Sequence, residues 1–210
     1  MEYFKEVGVF RMLANNLKVL LAERNLRIKD VVEDTSLSRN TVSNIANNPC
    51  SNVSNSTLDE LCNYLNIEPQ DFYTFSPYLI KYLPGDFSLL VTHKKRNYKI
   101  RLQLKKISLS DLNEEKSETL KDIFKNDVKE IENRFSIFKL RVLKNENFDF
   151  IDMYNNVSFV FQNEIRHNIT DLCVDYLTDF YTAHEELPEN TYIDFFNGGE
   201  LIIPKNNFEN

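Results

Sequence analysis

Arg39, Asn40, Thr41, Ser43, Asn44 and Asn47 occupy the outward positions of a stretch whose inward positions are Val42 and Ile45. They are short donors and acceptors with one guanidinium, and no carboxylate stands among them. Asparagine can pair with the edge of adenine, arginine with guanine, and a hydroxyl with either, so such a face suits recognition of bases and phosphates in duplex DNA. A merely solvated helix would more often mix Glu with Lys.

The elements that must hold this face are legible around it. In LRIKDVVEDTSLSRNTVSNI, Leu26 to Ile45, the apolar positions are Leu26, Val31, Val32, Leu37, Val42 and Ile45. That spacing predicts one helix over 28–35 and a second beginning after Ser38, which share a small core. Thr35 and Ser36 end the first, Leu37 fills the corner, and the Ser38 hydroxyl caps the second. Before them LANNLKVLLAERN places Leu13, Leu17, Leu20 and Leu21 at helical spacing. After them a helix starting at Ser56 or Thr57 buries Leu58, Leu61 and Leu65, and Asn66 stops it. Pro69 opens a fifth short helix ending near Phe72.

This segment, Leu13 to about Tyr73, resembles the Cro/CI-type helix-turn-helix of phage repressors, the xenobiotic-response-element family. Ser38, Arg39, Asn40, Thr41, Val42, Ser43 and Ile45 fit its recognition-helix pattern, and Leu58, Leu61, Cys62, Leu65 and Asn66 fit the helix and cap that follow. The resemblance implies base contacts by Arg39, Asn40, Thr41, Ser43 and Asn44, and phosphate contacts by Arg27, Lys29, Ser38 and Asn47. Ser36 stands where the family usually has Gly, Val32 where Ala is usual, Arg27 in place of a capping Ser, and Ile28 in place of a polar residue that grips the backbone. These departures predict slightly splayed helices and a phosphate grip drawn from Arg27, Lys29 and Arg39.

The chain has 210 residues and a formal net charge of −7. Residues 1–79 carry seven Lys or Arg against ten Asp or Glu, 80–145 carry sixteen against nine, and 146–210 carry two against thirteen. Non-specific affinity for DNA comes from cations that displace counterions. An acidic reading domain therefore has to rely on base contacts and dimerisation. The expected division is a helix-turn-helix domain over 1–75, a linker over 76–84, and a dimerisation or partner-binding domain over 85–210. Fold class follows as an N-terminal all-α five-helix domain plus a C-terminal mixed α+β domain.

In the second domain 87–91 and 98–104 read as strands around a turn at 94–97. Lys94, Lys95 and Arg96 at the tip, with Lys99 and Arg101, form a basic patch. It could follow a phosphate backbone or an acidic partner; the simpler expectation is that the acidic last third neutralises it, or that it guards a sheet edge. Leu112, Leu120, Ile123, Phe124, Val128 and Ile131 predict a helix over 110–134, capped by Ser110 or Asp111. Residues 135–143 read as a strand, 157–161 as a strand or a helix start, 164–181 as a helix, and 192–196 with 200–203 as a hairpin over Asn197, Gly198 and Gly199.

Catalytic and metal signals are weak. Glu164, His167 and Asp171 share one side of a helix, but such pairs arise by chance on an acidic helix, so no metal or cofactor is expected. The four glycines build no phosphate-cradling loop, and no Ala-Gly self-cleavage dipeptide is present. No enzyme, membrane span or secretory leader is expected, and Cys50, Cys62 and Cys173 lack the spacing of a C-x-x-C pair, which fits reduced thiols in a cytoplasm. The expected partners are a double-stranded DNA operator and a second copy of the chain. An alternative has the layout of some anti-CRISPR proteins: the helix-turn-helix controls its own promoter, and an acidic domain bearing Asp149, Asp152, Asp171, Asp175, Asp179, Glu185, Glu186, Glu189 and Asp194 binds an effector nuclease. A further variant has that domain sense a ligand or an antirepressor and release the DNA.

Overall fold

A computed structural model describes residues 12–123, 128–184, 187–196 and 198–208. Phe124, Glu185, Glu186, Asn197 and the Ile123 side chain fall outside them. The first helix does not begin at Leu13. Leu13–Asn15 is instead a strand, β1, antiparallel to β2, Tyr73–Phe75, in the register Leu13↔Phe75 and Asn15↔Tyr73. Asn15 is the cause: its Oδ1 accepts from the Leu17 N–H at 3.1 Å, the competition with helical bonding that Asn offers. Leu13 is consequently half exposed rather than core.

Helices α1 (Leu17–Glu23), α2 (Ile28–Asp34), α3 (Arg39–Asn47), α4 (Asn55–Leu65) and α5 (Pro69–Phe72) follow. Helices this short are marginal in isolation, so their shared core has to stabilise them. Leu17, Leu21, Val31, Val42, Ile45, Leu61, Leu65 and Phe72 are all buried in it. Val32, larger than the family's usual Ala, is half-buried at the margin. Helix α4 starts earlier than Ser56 because the Ser54 side chain accepts from the Thr57 N–H at 3.2 Å. Asn66 closes it in the left-handed region, φ 52° and ψ 55°.

The segment expected as a linker is mostly a strand: Leu79–Leu83 forms β3, with Ile80 and Tyr82 buried and Lys81 exposed. Flanking prolines masked that alternation. It opens a six-stranded sheet in the order β3-β4-β5-β6-β7-β8, where β4 is Ser88–His93, β5 Arg96–Ile107, β6 Phe135–Val142, β7 Asn190–Asp194 and β8 Glu200–Pro204. Strand β5 serves two partners: its first half pairs with β4 and its second half with β6. Strands β6 and β7 are parallel, the other pairs antiparallel.

The β4–β5 turn is tighter than expected. His93 pairs with Arg96, so the loop is Lys94 and Lys95, at φ 48° and 64°. A two-residue turn with both central residues at positive φ matches the twist of a hairpin, yet it ordinarily takes Asn-Gly. Lysine carries no such signal.

Helices lie on both sheet faces. On one, α8 (Phe150–Asn156) and α9 (Phe159–His184) pack Phe161, Ile165, Ile169, Cys173 and Leu177 over Ile80, Leu89, Ile100, Leu140 and Ile193. Helix α9 has 26 residues, about 39 Å at 1.5 Å per residue, and begins five residues before the expected start at 164; α8 was not foreseen. Burial in this core pushes the Cys173 thiol pKa up to about 12. On the other face Leu112, just before α6 (Glu114–Ile123), Leu120 of α6 and Ile131 of α7 (Val128–Arg134) cover Ile137 and Tyr192. The cap for this region is not Ser110. Ser108 opens a 3₁₀ turn in which Asp111 Oδ2 accepts from its N–H at 2.9 Å, and Asn113 Oδ1 accepts from Lys116 N–H at 2.9 Å to start α6. No described helix is long and apolar enough to cross a membrane.

The halves are joined by packing as well as by chain. Ala14, 1 % exposed, belongs to the core under α9, with Val19 and Cys50 packed against it. Across the sheet, Lys116 Nζ lies 2.5 Å from Asp194 Oδ1 and Lys139 Nζ 3.2 Å from Asp194 Oδ2; the Lys116 and Asp194 side chains are nearly sealed from water.

Removing one member of a buried ion pair strands the other, at about 3 kcal/mol or more. Asp194→Ala is expected to lower unfolding free energy by about that amount in urea titration, far more than loss of an exposed carboxylate. In the hairpin, Lys95→Gly relieves a left-handed lysine worth about 1 kcal/mol. Its melting temperature should rise by roughly 2–4 °C in calorimetry.

Candidate nucleic-acid interface

Helix α3 is fixed at its start by hydroxyls. Ser38 Oγ accepts from the Thr41 N–H at 3.1 Å and shares a hydrogen with Thr41 Oγ1 at 2.8 Å. In the preceding turn Thr35 Oγ1 donates to Val31 O at 2.6 Å and accepts from Leu37 N–H at 3.3 Å. Ser36 does not adopt the positive φ that would demand glycine. Glu60 of α4 holds it, one carboxylate oxygen accepting from the Ser36 N–H and the other from its Oγ at 3.0 Å. Glu60 was invisible as a site residue in the sequence, because its partner lies 24 positions away.

Val42, Ile45 and Ala46 turn inward from α3, while Arg39, Asn40 and Asn44 stand exposed. Among the described residues, no hydrogen bond or ion pair engages those three side chains. The other two expected base-reading residues are differently placed. Thr41 is half-buried with its hydroxyl in the cap, and Ser43 is half-buried and accepts from Asn47 Nδ2 at 3.2 Å. Thus the expected set splits into three open side chains and two that help hold the helix.

The expected phosphate contacts divide too. Lys29 is exposed. Arg27 bonds Asp30 through Nη2 at 3.1 Å and Nε at 3.2 Å, while the Arg27 N–H donates to Asp30 Oδ2 at 2.8 Å to start α2. Hydrogen bonding to the guanidinium holds the Asp30 carboxyl below its ordinary pKa. The Arg27 charge is therefore partly answered within the protein. Ser38 lends its side chain to the cap, and Asn47, exposed at the far end, leans on Ser43.

That far end depends on Asn15, which falls within the stretch expected as the first helix. Asn15 is buried, and its Nδ2 donates to Ile45 O at 3.1 Å and to Pro49 O at 3.0 Å. Its backbone N–H donates to Pro49 O at 2.7 Å. A single side chain so joins the start of α1, the last turn of α3 and the loop beyond it.

The basic patch sits elsewhere, on the sheet. Lys94, Lys95 and Arg96 are exposed at the hairpin tip, Lys99 lies 2.6 Å from Asp86, and Arg101 sits opposite Ser88. Strand β5 is internal, so the patch guards no edge. On α9 the His167 and Asp171 side chains are exposed and 3.8 Å apart, and no group of three metal-ligating side chains gathers among the described residues.

Residues 16–77 match the family described as the Cro/C1-type HTH DNA-binding domain. No curated protein matches the chain. Among solved structures, the crystal structure of a Bacteroides fragilis protein to which DNA binding is ascribed by inference aligns at 28% identity with a TM-score of 0.28, covering 30% of this chain and 100% of that one.

Asn15→Ala removes the side-chain donor from the Ile45 carbonyl and the acceptor from the Leu17 amide, at about 2 kcal/mol or more. Hydrogen exchange of the amides in the last turn of α3 should accelerate. Protection there equal to wild type would remove Asn15 from this role.

Proposed function

We propose that this protein is a sequence-specific transcriptional regulator that reads a DNA operator through α3. The observation that carries the reading is the exposed trio Arg39, Asn40 and Asn44, free of protein partners among the described residues and projecting from a helix whose other face is locked into the core. Arg39 suits guanine, and Asn40 and Asn44 suit adenine. Lys29 and the N–H groups at the start of α3 suit the flanking phosphates. The chain acts by binding, with no catalytic step of its own.

One nine-residue recognition helix on an acidic domain makes few contacts, which favours action as a homodimer held through the C-terminal domain. A twofold pair reads two half-sites about 34 Å apart or a multiple of that. Light scattering should then give about twice the 24.8 kDa chain mass, and the selected sites should be palindromic.

Selection from a random duplex library tests base reading. Wild type should enrich one motif, and Asn40→Ala and Asn44→Ala should each relax preference at particular bases by about 1–3 kcal/mol. Enriched sequences identical for wild type and both variants would refute readout by α3.

A further inference from the structure

The sheet face turned away from α9 is lined with cations. Register places Lys81 beside Leu90 and Lys99, Arg101 beside Ser88, Gln103 beside Arg141, and Lys105 directly beside Lys139. Residues paired across strands share a face, and their neighbours Ile80, Leu89, Ile100 and Leu140 point the other way into the core under α9. Five of the six cations are exposed and Lys139 is half-exposed. Apolar cover from α6 and α7 reaches Ile107, Ile137 and Tyr192 but not the rows beyond.

The acidic last third answers only one cation of this face. Lys139 meets Asp194, which Lys116 also engages, and Lys99 meets Asp86, outside that third. Among the described residues Lys81, Arg101, Lys105 and Arg141 form no ion pair. Lys105 stands directly opposite Lys139, whose charge Asp194 already meets. An anion laid across the face would instead meet the charges of Lys81, Arg101, Lys105 and Arg141.

We infer that this bare face is a second DNA-binding surface, taking the phosphate backbone of duplex DNA without regard to sequence. From Lys99 to Lys105 the strand runs about 20 Å, the rise of about six base pairs. No aromatic side chain stands on these rows, so the face offers neither the stacking platforms of single-strand binders nor the aromatic anchors of a protein interface. The helix-turn-helix packs on the α9 side through Ala14, Val19 and Cys50. The two surfaces are therefore distinct, and the sheet supplies the cations that residues 1–79 lack.

The test is fluorescence anisotropy of the full chain with a random-sequence duplex of about 30 base pairs, between about 50 and 200 mM salt. Lys99→Gln/Arg101→Gln/Arg141→Gln should weaken binding at least ~10-fold and make the log–log salt dependence shallower by about 2–3. Arg39→Ala/Asn40→Ala should keep this binding while losing motif selection, so failure of one surface is separable from failure of the other. In the unmodified protein, duplex should protect Lys81, Lys99 and Lys105 from acetylation read by mass spectrometry, a measure independent of how any variant folds. Wild-type affinity and salt slope in the triple variant, unprotected lysines, or tighter binding of polyglutamate than of duplex would each overturn the inference.

Discussion

The hydrogen bonds of Asn15 are the constraint on which the N-terminal half depends. A buried amide left unmatched is costly, and this one is matched on both sides: Ile45 and Pro49 carbonyls take its protons, and the Leu17 N–H fills its oxygen. The same residue pairs with Tyr73 in the β1–β2 ribbon. The start of α1, the end of α3 and the exit toward the sheet thus meet at one side chain. Its neighbour Ala14 faces the other core, where Val19 and Cys50 also pack, so Asn15 and Ala14 tie the last turn of α3 to that contact.

Charge is divided by element. The helix-turn-helix domain is acidic in sum, yet α3 has no acidic residue and its exposed face keeps its donors open. Acid groups near it are occupied with structure: Asp30 starts α2 and Glu60 holds the turn before α3. In the sheet, Asp194 pins Lys116 and Lys139 over one end, while the remaining cations stay on the open rows. Partition of this kind explains how a chain of net charge −7 can offer positive surface where a polyanion would lie.

Helical spacing and capping chemistry made the helix-turn-helix readable: Val31, Val42 and Ile45 are buried as their period implies, Ser38 caps α3, and Asn66 ends α4. Such signals are local. What escaped was set by distant partners. Asn15 broke the first helix because of carbonyls some 30 residues away, and Glu60 took over the turn that glycine usually serves. In the second half, residues 135–143 read as a strand and form β6, while α8 carried no comparable signal. The Lys94–Lys95 turn lacked Gly or Asn, and the strand at Leu79–Leu83 was hidden between prolines. Among the site residues, the open trio and the pair engaged in α3's own hydrogen bonds look alike in sequence; only geometry separates them.

The parallel pairing of β6 with β7 bears on how the chain matures. Strand β6 is complete at Val142, but its second neighbour begins only at Asn190, so during synthesis one edge stays unsatisfied while α8 and α9 are made. Phe135, Ile137, Phe138 and Leu140 lie along that edge, a combination of apolar side chains and unpaired backbone that invites intermolecular strand addition. Products ending before Asn190 would therefore be prone to aggregate, and the last tenth of the polypeptide acts as the seal on that edge.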